Sequence, residues 1–475
     1  MNGSSKGATP AMTAPTERQL GFWMCTALVV GNMIGASVFM MPASLAPYGL
    51  HSSIAGWLVT ATGALFLAGV FAALGRAFPS ACGPYDYTRI AFGELAGFVV
   101  AWGYWISIWV SNAAIATGFT SYLSDLVPAL GTPPVSVAVI IAVIWFLTGV
   151  NAWGTRTAGS LQLLTTALKI IPLVAVSALG VYLLLARDPA MVASLKQPVA
   201  WSGDAITAAA ALTLFSFLGL ESATIPAGKV HDPARTIPRA TLLGTLATTV
   251  VYLLACTTVM ILISPDELAA SHAPFADVVR RFWGSGAGAW IALFAMVSAF
   301  GALNGWILLQ GELPFHMARQ GTFPRIFARE SPRHTPAASL YIGSVLTTVL
   351  VLMNSAKSMV DIFSFMVLLG TASTLIMYLL CAFAVLKLLR RGELPSAGPH
   401  VGWLAFVSIV SAVYSLWAIF GAGLSTDPAA CGQRLVCWAP WLANPAILSI
   451  LLTASGVPVF YLMRRDKVPG TATAV

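Results

Sequence analysis

Long apolar runs, separated by short polar turns rich in Gly and Pro, recur along the whole chain. Twelve of them fall near residues 20–46, 54–75, 95–124, 134–152, 158–185, 206–230, 238–264, 286–314, 336–354, 359–386, 401–422 and 441–463. A helix rising 1.5 Å per residue needs about 20 mostly apolar residues to cross a hydrocarbon core of roughly 30 Å, so each run predicts one spanning helix. Two of the runs are interrupted near their middle, the first by GNMIGAS (Gly31 to Ser37) and the sixth by FSFLGLES (Phe215 to Ser222). An offset of five spans between the two interruptions predicts an inverted 5+5 repeat with two further helices appended. The fold class is therefore an all-α integral membrane protein of about twelve transmembrane helices, with helices 1 and 6 broken. Residues 1–18 read as a disordered tail, 19–463 as one membrane domain and 464–475 as a second tail, because no connection is long enough to house a soluble domain.

Composition excludes the soluble alternatives. The 475 residues are 58% hydrophobic and 9% charged, with a mean hydropathy of +0.83, whereas soluble domains carry roughly 25% charged residues. Lys and Arg are unevenly shared between alternate connections. Eighteen fall on the side of the two termini, among them Arg76, Arg89, Arg239, Arg319, Arg325 and Arg464; six fall on the other, Arg187, Lys196, Arg280, Arg281, Lys357 and Arg434. The positive-inside rule then predicts that both termini face the cytoplasm. The net charge of +8 follows from this asymmetry and needs no nucleic-acid partner. Length and short tails point to a prokaryotic inner (plasma) membrane.

Backbone polar groups cannot be left unpaired in lipid, so a helix broken at mid-depth marks backbone that lines a cavity or is buried in protein. Its free N–H groups suit a carboxylate, and its free carbonyls suit an ammonium or a sodium ion. Glycines that only let helices pack closely are the alternative reading of each interruption taken singly. Ionisable side chains inside a span are rare and functional by default, which singles out Glu221 in the sixth span and Lys169 in the fifth. Asn112 in the third span is either a binding group or helix–helix glue. Trp306 in the eighth could face a cation, worth up to about 2 kcal/mol when desolvated, or simply pack. Glu312 is expected near an inner gate, or paired with Arg319 or a loop cation. All six histidines lie in or beside loops, so no metal site is expected; no phosphate-binding loop motif is present and no cofactor is implied. Cys431 and Cys437, in the loop CGQRLVC, either form a disulfide or remain two thiols.

The first-span segment GNMIGASVFMMPASLAPYG (31 to 49) resembles the first-helix signature of the amino acid/polyamine/organocation superfamily. GYWISIWVSN (103 to 112), TLFSFLGLESA (213 to 223), FGALNGWILLQGE (300 to 312) and ARQGTFPRIFAR (318 to 329) resemble its basic amino acid/polyamine antiporters, the arginine/agmatine antiporter among them. The resemblance implies alternating access and a central site between spans 1, 3, 6, 8 and 10. It implies that the carbonyls of Met33, Phe215 and Leu218 hold the substrate amine, with Asn32 beside them, and that the backbone of Gly35, Ala36 and Ser37 holds the carboxylate. Asn112 would meet the far end of the substrate, Trp306 would form an aromatic wall, Phe215 a gate, and Tyr104 and Tyr378 would occlude the site from either side. Glu221 matches an acidic residue implicated in proton sensing. A homodimer through the two appended helices is a further implication.

Four positions depart from that pattern. Ala36 stands where the antiporters show serine in a Gly-Ser-Gly break, with Ser37 in place of the last glycine, and Phe215 replaces a tryptophan. Lys169, in TTALKIIPL, is apolar in those antiporters but resembles the fifth-helix lysine of proton-coupled permeases. There it would reach the carbonyls of the broken first helix, either to carry a proton or to tether the two helices. The leading expectation is exchange of a cationic amino acid for its decarboxylated amine. Proton-coupled uptake of a neutral amino acid is the alternative. A membrane-embedded enzyme would need a nucleophile with a positioned base, or a metal, and the spans offer neither.

Overall fold

The computed structural model describes residues 21–35, 37–79, 81, 83–154, 156–189, 202–224, 230–333, 335–394, 400–424 and 444–465, and of 156–168, 223 and 465 the backbone only. The terminal tails up to residue 20 and beyond 465, Ala36, and the loop carrying Cys431 and Cys437 lie outside the described residues. Helices α1 (Phe22–Met33), α2 (Ser37–Leu45), α3 (Leu50–Ala77), α4 (Pro84–Phe92), α5 (Glu94–Leu126), α6 (Val135–Trp153) and α7 (Arg156–Leu185) form the first part of the chain. Helices α8 (Gly203–Leu214), α9 (Pro233–Leu262), α10 (Pro265–Ala270), α11 (Pro274–Arg319), α12 (Ala337–Met353), α13 (Met359–Arg391), α14 (Val401–Leu424), α15 (Pro445–Ala454) and α16 (Gly456–Arg465) follow. No strand occurs among the described residues.

Among the described residues, seven of these helices (α3, α5, α6, α9, α11, α13 and α14) and the run Pro445–Arg464 shared by α15 and α16 are long and apolar enough to cross a bilayer, and α1 with α2, bent by 42° at the interruption, makes a ninth. Three shorter apolar helices, Lys169–Leu185, Gly203–Phe217 and Ala337–Met353, fall on the remaining predicted spans, so each apolar run of the sequence carries helix among the described residues. The outward faces suit lipid. Phe146, Tyr182, Leu185, Trp290, Val413 and Phe420 are all more than half exposed, a surface that would be a liability in water and is the expected one against acyl chains. Helix α4 is a connector, starting at Pro84 behind a positive-φ glycine, Gly83, and ending at another, Gly93.

The most deeply buried described span is α5. It packs against α11 and α13, while α9 packs against α3 and α1, and α8 lies against α3. Small residues permit these approaches. A Cβ on Gly56 of α3 would come within 2.7 Å of the Ala209 Cβ on α8, so the two backbones meet where no larger side chain fits. At the C-terminal end of α5, Arg280 donates to Asp125 at 2.8 Å and to Asp277 at 2.5 Å. That end is also pinned by Ser121, which donates to the His272 carbonyl at 2.8 Å.

Candidate substrate site

The two interruptions of the sequence meet in space. Helix α1 stops at Met33 because Ile34 turns to an extended conformation (φ −73°, ψ 93°), and α2 restarts at Ser37. In the sixth span α8 stops at Leu214, a single 3₁₀ turn covers Phe215–Phe217, Leu218 is extended (φ −62°, ψ 136°) and Gly219 has φ +103°. The chain does not resume an α-helix up to Thr224: only a 3₁₀ turn, Ser222–Thr224, follows. Gly219 is needed at this point, since a side chain disfavours φ > 0 and a Cβ there would lie 3.2 Å from the Asn32 Cβ and 3.3 Å from the Asn32 carbonyl oxygen. The backbone of one break therefore presses on the other.

Carbonyls released by the first break are claimed by side chains from other helices. Lys169 of α7, buried to 1% exposure, donates from Nζ to the Gly31 carbonyl at 3.3 Å. Tyr252 of α9 donates to the Met33 carbonyl at 2.7 Å; beyond the break, inside α2, Tyr122 of α5 donates to the Phe39 carbonyl at 2.9 Å. Ser364 of α13 donates to the Ser44 hydroxyl on α2 at 2.9 Å. The tyrosine at 252 was not among the candidates of the sequence, and it is fully buried in an aromatic cluster with Trp57 and Phe217, at centroid distances of 5.7 and 5.8 Å. It engages the Met33 carbonyl that the family resemblance assigns to the substrate amine; a carbonyl has two lone pairs, so one acceptor position there is already used.

A cavity of about 200 Å³ opens beside the junction, lined by Gly31, Asn32, Gly219, Lys169, Tyr104 and Trp306, with Ser222, Ala302, Gly305 and Leu309 completing it. Of the sequence-derived candidates it gathers Asn32, Tyr104, Lys169 and Trp306. Met33, Gly35, Ser37, Asn112, Phe215, Leu218 and Tyr378 are not on its wall. A larger cleft of about 380 Å³ lies apart from the breaks, between α4, α5 and α16; its Arg89 is engaged by Asp86 at 3.1 Å and Glu94 at 3.6 Å, so those charges satisfy one another.

Glu221 sits two residues past Gly219 and is 1% exposed. Tyr378 of α13 donates to its Oε2 at 2.7 Å and Tyr104 of α5 to its Oε1 at 3.1 Å. Both of the tyrosine hydroxyls therefore converge on one carboxylate, joining three spans at a single point. Asn112, fully buried, donates from Nδ2 to Gln310 Oε1 at 2.8 Å, and Gln310 in turn donates to the Leu340 carbonyl at 3.0 Å and to Ser344 at 3.1 Å. Asn112 thus joins α5 to α11 and, through Gln310, to α12. Gln310 went unremarked in the sequence although a polar amide four residues beyond Trp306 in an apolar span was a legible signal. Glu312 pairs with His316 at 3.1 Å, not with Arg319, which pairs with Glu330 at 2.9 Å. Phe215 packs where a Cβ on Gly370 would be 3.4 Å from its ring, between α8 and α13.

A family model described as amino acid permease matches residues 20–439, a stretch that contains both breaks, Lys169, the Glu221 cluster and Trp306. The chain belongs to the amino acid permease family. This permease is accordingly a multi-pass membrane transporter and not an enzyme. It is 30% identical over 413 residues to the putrescine transporter PotE of Escherichia coli, covering 87% of this chain and 93% of that protein. It is 32% identical over 348 residues to a cadaverine/lysine antiporter of the same organism, covering 72% and 77%. A Bacillus subtilis protein assigned provisionally as an arginine/ornithine antiporter is 31% identical over 410 residues, covering 79% of this chain and 86% of its own. The relatives span amino acid/amino acid and amino acid/amine exchange, so the family alone leaves the counter-substrate of this permease open.

Proposed function

We propose that this permease is an antiporter of the inner membrane, with both termini in the cytoplasm, which exchanges a cationic amino acid for a second amino acid or for an amine of the same side chain. The observation that carries the reading is the cavity at the junction of the two broken helices, where the backbone of Gly31 and Gly219 and the side chains of Lys169 and Trp306 share one wall. A broken-helix junction offers a zwitterion both donors and acceptors without new ordering of the chain, and the Trp306 indole offers a face to a guanidinium or ammonium. The names of the relatives, all carriers of cationic amino acids or diamines, support the same substrate class.

In this reading the Tyr104–Glu221–Tyr378 cluster is a latch. It ties α5 and α13 to the backbone just beyond the sixth-span break, and any motion of that segment relative to α5 and α13 has to break or shift two hydrogen bonds to one buried carboxylate. In this reading Phe215, on the α8 side of the same break, serves as the gate. Alternating access then means that the segment around the two breaks moves against the α5–α11–α13 core, with the Ser44–Ser364 and Tyr122–Phe39 bonds closing the opposite end.

Lys169 favours a second reading, proton-coupled uptake of a neutral amino acid, because an amine buried against a broken helix can bind and release a proton as the helix moves. One experiment separates the two. Radiolabelled arginine uptake is measured in proteoliposomes that are empty or preloaded with arginine, ornithine, agmatine or a neutral amino acid, with and without an inward proton gradient. Exchange predicts uptake only into preloaded vesicles, insensitive to whether a gradient is imposed. Gradient-driven uptake of a neutral amino acid into empty vesicles, lost in Lys169→Ala, would replace the exchange reading by the second.

A further inference from the structure

Among the described residues lining the 200 Å³ cavity, Lys169 is the one that brings a formal charge into it. Glu221, although adjacent to the lining residue Ser222, is not on the wall, and both of its oxygens are engaged by Tyr104 and Tyr378. No carboxylate pairs with Lys169 among the described residues; its recorded contact is the Gly31 carbonyl at 3.3 Å. An ammonium carries three N–H donors, and a buried cation without a counter-ion is costly, so the cavity as it stands has an electrostatic demand for an anion next to Nζ. The backbone wall beside it, Gly31 to Asn32 and Gly219, supplies no negative charge. The Trp306 face in the same cavity suits a cationic group.

We propose that Lys169 anchors the carboxylate of the transported amino acid, and that it thereby admits amino acids while excluding the amines formed from them by decarboxylation. The inference rests on the cavity being the transport site and narrows the exchange to one amino acid for another. A cationic amino acid places its carboxylate against Nζ and its side-chain charge toward Trp306, so that Lys169, the α-ammonium and the side chain bring three positive charges and the carboxylate, set directly against Nζ, one negative, a net of two. The corresponding diamine or agmatine brings two positive charges and no anion to a cavity that already holds one. Like charges a few ångströms apart in a site of low dielectric repel strongly, and the amine is rejected on that ground irrespective of how well its side chain fits. The anchor is also compatible with the departure at Ala36 and Ser37: carboxylate recognition need not rely on the first-helix backbone segment that differs from the antiporter pattern.

The test is competition against radiolabelled arginine exchange in proteoliposomes holding the full chain, using the pairs arginine/agmatine and ornithine/putrescine, in wild type, Lys169→Met and Lys169→Arg. Wild type is expected to prefer each amino acid over its amine by at least about tenfold, a difference of ~1.4 kcal/mol. Lys169→Met should raise the half-inhibiting concentration of the amino acids by about tenfold or more and leave that of the amines unchanged or lower, while Lys169→Arg keeps the preference for the amino acid. Equal competition by an amino acid and its amine in wild type overturns the inference, as does a Lys169→Met variant in which both members of a pair weaken in the same proportion. Ligand-induced thermal stabilisation of the purified protein serves as a second readout, with leucine and isoamylamine added as a neutral pair. If arginine does not exchange but leucine stabilises and its amine does not, the cationic substrate reading fails and the carboxylate anchor stands. If no amino acid stabilises the wild type more than its amine, the anchor fails.

Discussion

The Tyr252 hydroxyl donates a 2.7 Å hydrogen bond to the carbonyl of Met33, the last residue of α1 before the chain breaks. The bond ties the seventh span to the point at which the first span opens. Because Tyr252 also packs on Phe217 in the sixth-span break, one side chain touches both interruptions. Tyr252→Phe keeps the ring and removes the donor. It should lower thermal stability in detergent by about 1–3 kcal/mol, the cost of a buried hydrogen-bonding group left without its partner, and slow exchange severalfold. A variant with wild-type melting and wild-type exchange would show that the carbonyl is satisfied in another way.

Gly219 presses on Asn32 and holds φ +103°. Gly219→Ala adds both a 3.2 Å contact and backbone strain, the latter worth about 1–3 kcal/mol. The expected outcome is a protein that still inserts in the membrane but exchanges at a small fraction of the wild-type rate, measured by radiolabelled uptake at matched protein density. Retention of full exchange would mean that the break can relax without moving the site.

Two tyrosines donate to Glu221. Glu221→Gln retains an acceptor for them, whereas Glu221→Leu strands two buried hydroxyls, each at a cost of about 1–3 kcal/mol. Thermal stability should therefore fall in the order wild type, Gln, Leu. Exchange by the Gln variant should lose whatever pH dependence the wild type owes to this carboxylate, since the ionisable group of the latch is gone. A Gln variant with an unaltered pH profile would remove Glu221 from proton sensing and leave it a structural link.

Asn112 and Trp306 are expected to behave oppositely. Asn112→Leu breaks the bond to Gln310 away from the cavity, so it should reduce stability by about 1 kcal/mol with little change in KM. Trp306→Leu removes a cavity wall, so it should raise KM for a cationic substrate by an amount corresponding to no more than about 2 kcal/mol with little loss of stability. Initial-rate kinetics and melting curves on both variants decide the assignment; a large KM effect from Asn112→Leu would put that amide at the substrate after all.

The membrane class, the helical spans and the two broken ones were legible in the chain because lipid imposes constraints that act locally. Each span has to be apolar over its own length, and backbone can leave a helix only where it is sheltered, so the interruptions at Gly31–Ser37 and Phe215–Ser222 stand out against their own neighbours. The rarity of ionisable residues in such runs likewise picked out Lys169 and Glu221. Which groups these residues meet depends on how spans distant in sequence pack, and only the tertiary structure decided it. The Tyr104 and Tyr378 hydroxyls converge on one Glu221 carboxylate, Asn112 turns to Gln310 instead of the cavity, and Tyr252 takes the Met33 carbonyl. Glu312 lies with His316, one helical turn away, where either that histidine or Arg319 was within reach of the sequence spacing. The physical reason is that a hydrogen bond within lipid is chosen among partners on other helices by rotation and depth of each span, and neither quantity is written in the apolar pattern that makes the span.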